Sequence, residues 1–553
     1  MIVGWPFDLL APRFWNSYNV YLPLDTLALN GALLEWGHST EALQYLGYFF
    51  DHFVCMEEVC AQPYVHQYGK LNGIGNASYG GILYYGFGCD SDADYGRMID
   101  MYVQAVRYSG NLTWAKEMLP AVHAMAQNVL VRRAEATAAH PAGHPFHGIV
   151  WGSPEHDICS APSYFFSPNV WFARGLLSLG QLHAEYPALS INATLEATLL
   201  PEGNAWRADL RFAANFTAVR SGDGSVFFLH PVVGSAYTET NPPMSQPTPQ
   251  AKLVPIEGGD EATCVARGTC FESMTAGVPG EGQGSSNQHT NYANFRIFSE
   301  TLLANMLDPE YELGIMRFRE THRGTLLGMT RFRDGLDDMP ILGYGRGSLA
   351  HDRLYSFHNT LAGHSMNYIS RGTYWGTEQR LQLDYSVGNG TGIVNHRWRN
   401  DCGVGGEDCS LCMVSGIASA YWTRWMLVSE SPDTGVVFVA RGAPRRWYAQ
   451  TSESFGITQA PTRFGEITFT MQANADGSVH GSVQLAARQG VAAGSLLAPL
   501  VAVKIRAADA SKPLLGTVTL DKAAGAQLVA WHAGNETALI KLGPSMAFNF
   551  TAK

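Results

Sequence analysis

The feature that most constrains the fold is a succession of amphipathic helices that come in pairs. Between about residues 13 and 430, apolar residues recur at the three- and four-residue spacing of an α-helix. Leu24 and Leu27 begin one such face, which stops at Gly37, and Thr40 opens the next helix. Consecutive helices joined by short turns predict a toroid of αα-hairpins rather than a parallel α/β fold.

The same spacing predicts further helices along this part of the chain. No fixed sequence period accompanies them, which argues against a solenoid of near-identical repeats. Two long segments, near 232–290 and 386–413, are rich in glycine and polar residues and interrupt the helices. Long loops in compact domains are usually functional lids or disordered segments, and we expect both near one mouth of the toroid. The further helices are predicted at 95–108, 114–131, 167–183, 206–215, 291–307, 309–323, 352–369 and 415–428.

The pattern changes near residue 431, where short β-branched and aromatic runs alternate with turns. A chain of 553 residues also exceeds what one ordinary core supports. We therefore predict two domains, a mainly α catalytic domain over 1–430 and an antiparallel β-sandwich over 431–553. The strands are expected at 435–439, 467–471, 479–483 and 516–520.

Composition narrows the possible functions. The net charge is −11, so the protein lacks the positive potential that nucleic-acid binding requires. No stretch of 18 apolar residues occurs, so no membrane-spanning helix is expected. Nucleotide-binding motifs and the Gly-x-Ser-x-Gly elbow are absent from the sequence. Aromatic residues at 11% suit either a surface that stacks on sugars or a large aromatic core.

Cysteines and glycosylation motifs favour an extracellular or secretory-lumen location. We expect disulfides in the close pair Cys55 and Cys60 and in the pair Cys264 and Cys270. Zinc is the alternative for a third cluster, although its spacing matches no common zinc pattern. The N-terminus shows no signal peptide, and a truncated N-terminus would reconcile this with a secreted protein. The third cluster is Cys402, Cys409 and Cys412, and Asn-x-Ser/Thr motifs begin at Asn76, Asn111, Asn192, Asn215, Asn389, Asn535 and Asn549.

Two acidic segments are candidate catalytic sites. Glu155 and Asp157 flank a histidine in a Gly/Pro loop that precedes an aromatic-rich helix. A carboxyl group partly desolvated by aromatic neighbours has a raised pKa and suits general-acid catalysis, whereas the alternative is an ordinary solvated turn. Glu378 follows Trp375 in a glycine-spaced turn and is a candidate second carboxylate. Glycoside hydrolysis needs two such groups.

Other residues are candidates for substrate binding. Trp15, Asn16 and Asp25 could stack on a sugar and bond its hydroxyls, or could form a buried start to the first helix. Asp94 and Arg97 open a helix in a segment that lacks the glycine and glutamate of an EF-hand. The remaining candidates are Trp151, His358, Arg371 and Trp375.

No cofactor and no metal site are expected. His140, His144 and His147 invite a metal site, but the prolines between them forbid a regular helix and no second ligand cluster accompanies them.

Four stretches of the helical part together resemble the six-hairpin glycosidase superfamily, which includes trehalases, maltose phosphorylases and α-L-rhamnosidases. They are Phe14-Trp15-Asn16-Ser17-Tyr18, Gly37-His38-Ser39-Thr40-Glu41-Ala42, Gly152-Ser153-Pro154-Glu155-His156-Asp157 and Trp171-Phe172-Ala173-Arg174-Gly175-Leu176. Two further stretches are similar to the entry into the β-sandwich that follows the barrel in several of these enzymes: Gly442-Ala443-Pro444-Arg445-Arg446-Trp447 and Ala460-Pro461-Thr462-Arg463-Phe464-Gly465. The resemblance implies an (α/α)6 barrel with its active site at one mouth, a carbohydrate substrate and, in most members, inversion of configuration. It also implies a general-acid Asp at Asp157 with Glu155 beside it, although His156 between them leaves the choice between the two open. Glu378 does not follow from the resemblance.

Three alternatives to a glycoside hydrolase remain at this stage. A polysaccharide lyase could use His358, His364, Tyr368 and Arg371, and would release unsaturated products. A non-catalytic glycan-binding relative would keep the barrel without the acids. A phosphorylase would need a phosphate-binding pattern, and none is evident. The sugar, the linkage and the oligomeric state are left open.

Overall fold

A computed structural model of the chain contains a helical part followed by a β part. It describes eleven α-helices, numbered here α1 to α11. Their bounds are Pro23–Glu35, Ser39–His52, Ala93–Ser109, Leu112–Ala139, Phe166–Glu185, Ala193–Thr217, 298–304, Pro309–Thr321, Ile341–Ala350, Leu354–Asn367 and Met413–Leu427. The described residues are 23–61, 76–83, 91–152, 164–229, 233, 253–255, 270–272, 298–321, 325–326, 328–332, 335–337, 341–367, 379–380, 413–488, 500–509, 511, 516–521 and 525–553.

Alternate helices pack side by side and run in the same direction. The neighbours are α1 with α3, α3 with α5, α7 with α9, α9 with α11, and α11 with α1. Side-chain contacts fix the direction in several of these pairs. Residues early in one helix contact residues early in the other, and later residues contact later ones, so the two helices are parallel. These contacts are Asp100 with Ser178, Arg107 with Glu185, Ser299 with Gly343, Leu302 with Gly347, Gly345 with Trp422, Arg346 with Trp425, Leu27 with Tyr421, and Glu35 with Trp425.

The contact between α3 and α5 depends on glycine. A methyl group at Gly96 would overlap the backbone carbonyl of Trp171, and one at Gly175 would approach the backbone of Gly96. Small residues at a crossing let two backbones approach directly. This contact fixes the relative height of the N-terminal turns of α3 and α5.

The remaining helices return the chain between these parallel ones. The turns from α1 to α2, α3 to α4, α5 to α6, α7 to α8 and α9 to α10 are short and are described throughout. At the turn after α3, Gly110 adopts φ +67° as a left-handed cap, and Asn111 then caps α4 by accepting the Trp114 N–H at 3.0 Å. The predicted helical hairpins are therefore confirmed here.

Short strands lie between and beside the helices. Within the described ranges three pairs of strands are antiparallel, and four further strands form a small sheet in the order β10-β9-β8-β7. These strands are β1 Val59–Ala61, β2 Asn76–Ser78, β3 Ala218–Arg220, β4 Val226–Leu229, β5 Leu253–Pro255, β6 Cys270–Glu272, β7 Thr325–Leu326, β8 Met329–Phe332, β9 Gly335–Asp337 and β10 Gln379–Arg380.

The C-terminal part contains two five-stranded sheets. One has the order β11-β12-β16-β19-β18 and the other β13-β14-β15-β20-β17. The strands are β11 Val428–Glu430, β12 Val437–Val439, β13 Phe455–Thr462, β14 Gly465–Ala473, β15 Val479–Ala487, β16 Leu500–Lys504, β17 Val518–Leu520, β18 Gln527–His532, β19 Thr537–Lys541 and β20 Ala547–Ala552.

The inner faces of both sheets contribute to one hydrophobic core. Val439 and Val503 of the first sheet belong to the same buried cluster as Phe469 and Phe548 of the second. The expectation of purely antiparallel sheets is wrong in one place, because β12 pairs with β16 in parallel. A parallel neighbour needs a crossover, which the intervening strands of the other sheet provide.

The β part packs against the end of the helical part at which α1, α3 and α9 terminate. The Arg488 guanidinium donates to the carbonyls of Arg107 and Tyr108 at the end of α3. Asp352, in the turn after α9, binds Lys504 and Arg506, each at 2.7 Å. The opposite end, at which these helices begin, therefore faces away from the β part.

One predicted disulfide is confirmed, between Cys55 and Cys60. Cys264, Cys402, Cys409 and Cys412 lie outside the described residues, and Cys270 is described only as part of β6. No described helix combines the length and the apolar character needed to cross a membrane.

Candidate active site

The predicted site residues fall into two groups, those the structure describes and those it does not. Asp94, Arg97, Trp151 and His358 are described, and Asp25 is described only as part of α1. The others lie outside the described residues: Trp15, Asn16, Glu155, Asp157, Arg371, Trp375 and Glu378.

The N-terminal turn of α3 carries a buried ionic cluster. Arg97 binds Asp94 Oδ1 through Nη1 at 2.7 Å and Glu300 Oε1, on α7, through Nη2 at 2.6 Å. The Arg97 side chain is fully buried, and both carboxylates are at least nine-tenths buried. The guanidinium also lies 5.7 Å from the Trp171 ring centroid. Arg97 thus pairs with both buried carboxylates, and buried charges need such pairing.

This cluster places a set of fixed polar groups near the start of the parallel helices. Asp94 is in the first turn of α3 and Glu300 is in the first turn described for α7. Carboxylates that a guanidinium holds in place are well suited to accept hydrogen bonds from hydroxyl groups. The sequence predicted Asp94 and Arg97 but missed Glu300, because a glutamate in an amphipathic helix ordinarily faces solvent.

Both ends of the segment that holds Glu155 and Asp157 are anchored beside this cluster. Before the segment, Gly152 lies directly against Asp92, whose carboxylate accepts from Arg132. The Asn169 side chain accepts the Val150 N–H at 2.8 Å and donates to the Val150 carbonyl at 3.1 Å. After the segment, the chain enters α5 at Phe166. The segment therefore leaves and rejoins the structure at the N-terminal ends of α3 and α5.

An aromatic group lies at the same end. Trp151 is 45% exposed and meets Tyr164 edge to face at 4.8 Å between ring centroids. Tyr164 stacks on Phe146 at 4.3 Å, and its hydroxyl shares a 2.9 Å hydrogen bond with His140 Nε2. An exposed indole on a rigid aromatic support is a surface on which a sugar ring can stack.

The histidines around residue 140 serve this aromatic group. Besides the bond from His140 to Tyr164, His147 Nδ1 bonds the His140 carbonyl at 2.8 Å. His140 and His144 stack at 4.7 Å between ring centroids. Burial lowers the pKa of His140, and the neighbouring His144 and His147 lower it further. These contacts give the three histidines a structural role that needs no ion.

One other trio of described residues brings potential metal ligands together. His123 Nε2 and His183 Nε2 share a 3.0 Å hydrogen bond, and Glu196 Oε1 lies 3.9 Å from each ring. Burial lowers the pKa of His123 to about 4, so the pair is neutral at pH 7. The hydrogen bond then joins the N–H of one imidazole to the unprotonated nitrogen of the other. Glu196 Oε1 already accepts the Ile191 and Asn192 N–H groups. Zinc would have to displace this network in order to bind.

The far end of the parallel helices is closed by buried polar side chains. Six of the helices line a cavity of about 50 Å³, which is room for a water molecule and not for a sugar. Glu35 lines it and accepts from Trp425 Nε1 at 3.1 Å. Burial raises the pKa of Glu35, and the neighbouring Arg424 opposes the shift. A sugar-sized site on this axis must therefore lie toward the other end.

His358 lies apart from the residues described so far. It is on α10, next to Gly442, which follows β12, and burial lowers its pKa. His364, on the same helix, is fully buried edge-on to Trp422 at 4.9 Å. The structure thus places Asp94 and Arg97 in the helical turn that follows Asp92, against which Gly152 lies, and places His358 at the junction with the β part.

Comparisons with known proteins give distant structural neighbours. A GH78 rhamnosidase from Bacillus sp. GL1 is 12% identical, with a TM-score of 0.41 over 82% of this chain and 36% of that one. A GH76 α-mannanase from Bacteroides thetaiotaomicron is 8% identical, with a TM-score of 0.36 over 76% of this chain and 94% of that one. The chain thus spans about a third of the rhamnosidase. No protein-family model and no curated protein matches the chain.

Proposed function

We propose that the chain is a glycoside hydrolase that cleaves O-glycosidic bonds of an oligo- or polysaccharide at the end where its parallel helices begin. The observation that carries the proposal is that each acidic segment precedes one of the parallel helices. The segment with Glu155 and Asp157 leads into α5, and the segment with Glu378 leads towards α11. Because α5 and α11 run in the same direction around one core, both acidic segments are expected at the same end.

We further propose that the helices close into an (α/α)6 toroid. Its inner ring would consist of α1, α3, α5, α7, α9 and α11. The contact of α11 with α1 supports closure, as does the small cavity that six helices share. In this proposal residues 1–430 form the catalytic domain and residues 431–553 the β-sandwich domain that covers the far end.

The proposed mechanism uses two carboxyl groups. Asp157, or Glu155 beside it, protonates the leaving oxygen, and Glu378 activates the water that attacks the sugar carbon, with inversion. Trp15, Trp151 and Trp375 are proposed stacking surfaces, and Asn16, Asp25 and Arg371 are proposed hydrogen-bonding groups. The Arg97 cluster would form the polar floor beneath them. No cofactor takes part in this scheme.

The proposed location is the secretory lumen or the extracellular space. The Cys55–Cys60 disulfide supports an oxidising compartment. The glycosylation motifs are also accessible, because each motif asparagine whose side chain is described is exposed: Asn111, Asn192, Asn215, Asn535 and Asn549.

The proposal is tested by removing each acid without changing its shape. Asp157→Asn, Glu155→Gln and Glu378→Gln are compared with wild type for release of reducing ends from a panel of aryl glycosides and polysaccharides. Loss of the acid or the base is expected to lower kcat by about 10²- to 10⁴-fold. Glu117→Gln, on the exposed face of α4, is the matched control and should keep full activity.

The outcomes separate the alternatives. Full hydrolysis by all three variants would refute the assigned acids. Products that absorb in the ultraviolet would indicate a lyase instead. Binding of the polysaccharides without turnover by wild type would favour a non-catalytic relative.

A further inference from the structure

A cavity of about 650 Å³ lies away from the proposed active site. It lies where the turn from α9 to α10 meets the β part. Asp352 and Tyr355 line it from the helical side, and Arg445, Arg506 and Glu536 line it from the β side. Its volume is in the range of small-molecule sites, which in many proteins occur at such domain junctions.

The charges that line this cavity compensate one another. Each of its three carboxylates is paired with one of its three arginines: Glu320 with Arg353, Asp352 with Arg506 at 2.7 Å, and Glu536 with Arg445 at 2.8 Å. Asp352 also binds Lys504 at 2.7 Å, but this buried lysine does not line the cavity. The lining therefore has no formal net charge. An anionic or cationic ligand would find no unpaired counter-charge there, so the lining favours a neutral ligand.

The same lining is rich in groups that bond hydroxyls. Ser356, Asn359, Thr360 and Asn535 contribute hydroxyl and amide groups. The paired side chains are held in place, because Ser356 Oγ donates to Glu320 at 2.9 Å and Glu536 also accepts the Ala507 N–H at 3.0 Å. Fixed donors and acceptors of this kind orient a polar ligand at little entropic cost.

An aromatic side chain completes the site. Tyr355 lines the cavity and is 82% exposed, although tyrosines are usually at least half buried. A phenol ring presents a flat apolar face beside a hydroxyl, which matches the face and edge of a pyranose. The small cavity lined by Glu35, by contrast, has no exposed aromatic ring and no room for a sugar.

We propose that this cavity is a second carbohydrate site, which binds a neutral oligosaccharide against Tyr355 without cleaving it. The ligand class follows from the lining of the cavity alone, so the site is independent of the proposed hydrolysis. In a carbohydrate-active enzyme such a site would hold a polymer to the protein surface, and would thereby raise the local concentration of chains near the active site.

The experiment measures retardation of the protein in native gels that contain a soluble polysaccharide. The probes are galactomannan, xyloglucan and dextran as neutral polymers and polygalacturonate as a charged one. The full chain is produced in a bacterial host that does not N-glycosylate, because Asn535 begins a glycosylation motif and lines the cavity. Tyr355→Ala is compared with Tyr48→Ala, an exposed tyrosine on α2.

We expect a neutral polymer to retard the wild type, and polygalacturonate not to. Tyr355→Ala should weaken binding about three- to tenfold, the loss of one stacking contact, while Tyr48→Ala leaves it unchanged. Hydrolysis of a short aryl glycoside should be the same in both variants. A protein that is retarded but does not hydrolyse any substrate would contradict the proposed function and not this site.

Two results would overturn the second site. One is the absence of retardation by all three neutral polymers. The other is equal retardation of wild type and Tyr355→Ala, which would assign binding to another surface.

Discussion

At the scale of single residues, Arg97 shows how a buried charge is paired with a partner that is distant in the sequence. Its guanidinium is the cation between Asp94 and Glu300, and all three side chains are buried where the parallel helices begin. Sequence alone placed Asp94 and Arg97 at a helix start. It could not identify Glu300, because the pairing partner is about two hundred positions away and only the packing of α3 near α7 brings it close.

Replacing Arg97 with methionine should destabilise the protein by about 3–5 kcal/mol, because two buried carboxylates would each lose a paired cation. Urea unfolding followed by circular dichroism measures this change. Arg211→Met removes a half-exposed partner of Asp308 and should cost about 1 kcal/mol or less. Equal losses in the two variants would show that the Arg97 cluster contributes no more than a surface ion pair.

The His123–His183 pair predicts how stability depends on pH. The pKa of His123 is lowered to about 4 in the folded state from an ordinary value of 6.5. Between pH 4 and 6.5 this histidine is protonated in the unfolded chain and neutral in the folded chain. Its contribution to the free energy of unfolding is therefore complete above pH 6.5 and is lost as the pH falls towards 4. His123→Gln should flatten this part of the stability curve.

The measurement is the free energy of unfolding at several pH values between 4 and 7. His52→Gln is the control, since His52 lies on the exposed face of α2. The same slope in wild type and His123→Gln would mean that other groups cause the acid destabilisation. Zinc added at pH 7 is expected to leave the melting temperature unchanged, because the trio is already hydrogen-bonded.

At the scale of elements, helical periodicity identified most of the helices and missed α9. Its sequence, Ile341-Leu342-Gly343-Tyr344-Gly345-Arg346-Gly347, has three glycines at alternate positions, which lowers helix propensity. The structure explains them, because methyl groups at Gly343 and Gly345 would overlap Ser299 and Trp422 of the flanking helices. Tertiary packing overrides the local preference here, and no single-sequence rule contains that information.

The strands show the same division between local and distant information. Alternating residues predicted β14 and β15, whose buried positions alternate along the strand. The parallel pairing of β12 with β16 joins segments about sixty residues apart and follows from no local pattern. The acidic segments are candidates because of their residue types, and whether Glu155, Asp157 and Glu378 meet stays a prediction.

The glycine contact between α3 and α5 yields a prediction at this scale. Gly96→Ala adds a methyl group that would overlap the Trp171 carbonyl, so α3 and α5 must move apart. We expect a loss of about 1–3 kcal/mol in the free energy of unfolding. Gly534→Ala is the matched control, because nothing lies within 4 Å of the added methyl group. A Gly96→Ala protein as stable as wild type would show that the crossing can relax at no cost.

At the scale of the whole molecule, the junction between the helical and β parts is made largely by charged groups. Arg424 donates to the Pro461 carbonyl, and Arg174 binds Asp433 in the turn between β11 and β12. Asp352 makes two of these contacts at once, since it binds both Lys504 and Arg506. These two cations lower its pKa, although burial opposes the shift. The end of the helices opposite the proposed active site is thereby fixed to the β part.

Asp352→Asn tests whether this junction couples the two parts. Asparagine tolerates the left-handed backbone at this position, φ +56°, as well as aspartate does, so the change removes charge without adding strain. It leaves Lys504, 4% exposed, beside Arg506 without the shared carboxylate. The loss should be about 3–5 kcal/mol, and calorimetry should resolve one unfolding transition into two as the parts unfold separately. Asp51→Asn, on the exposed face of α2, should leave the transition unchanged.

Because the folded pKa of Asp352 is depressed, its contribution to stability is present above the ordinary value of 3.8 and disappears as the pH falls below it. Wild type at acidic pH should therefore approach the behaviour of Asp352→Asn. If Asp352→Asn instead unfolds in a single unshifted transition, the remaining contacts suffice to couple the two parts.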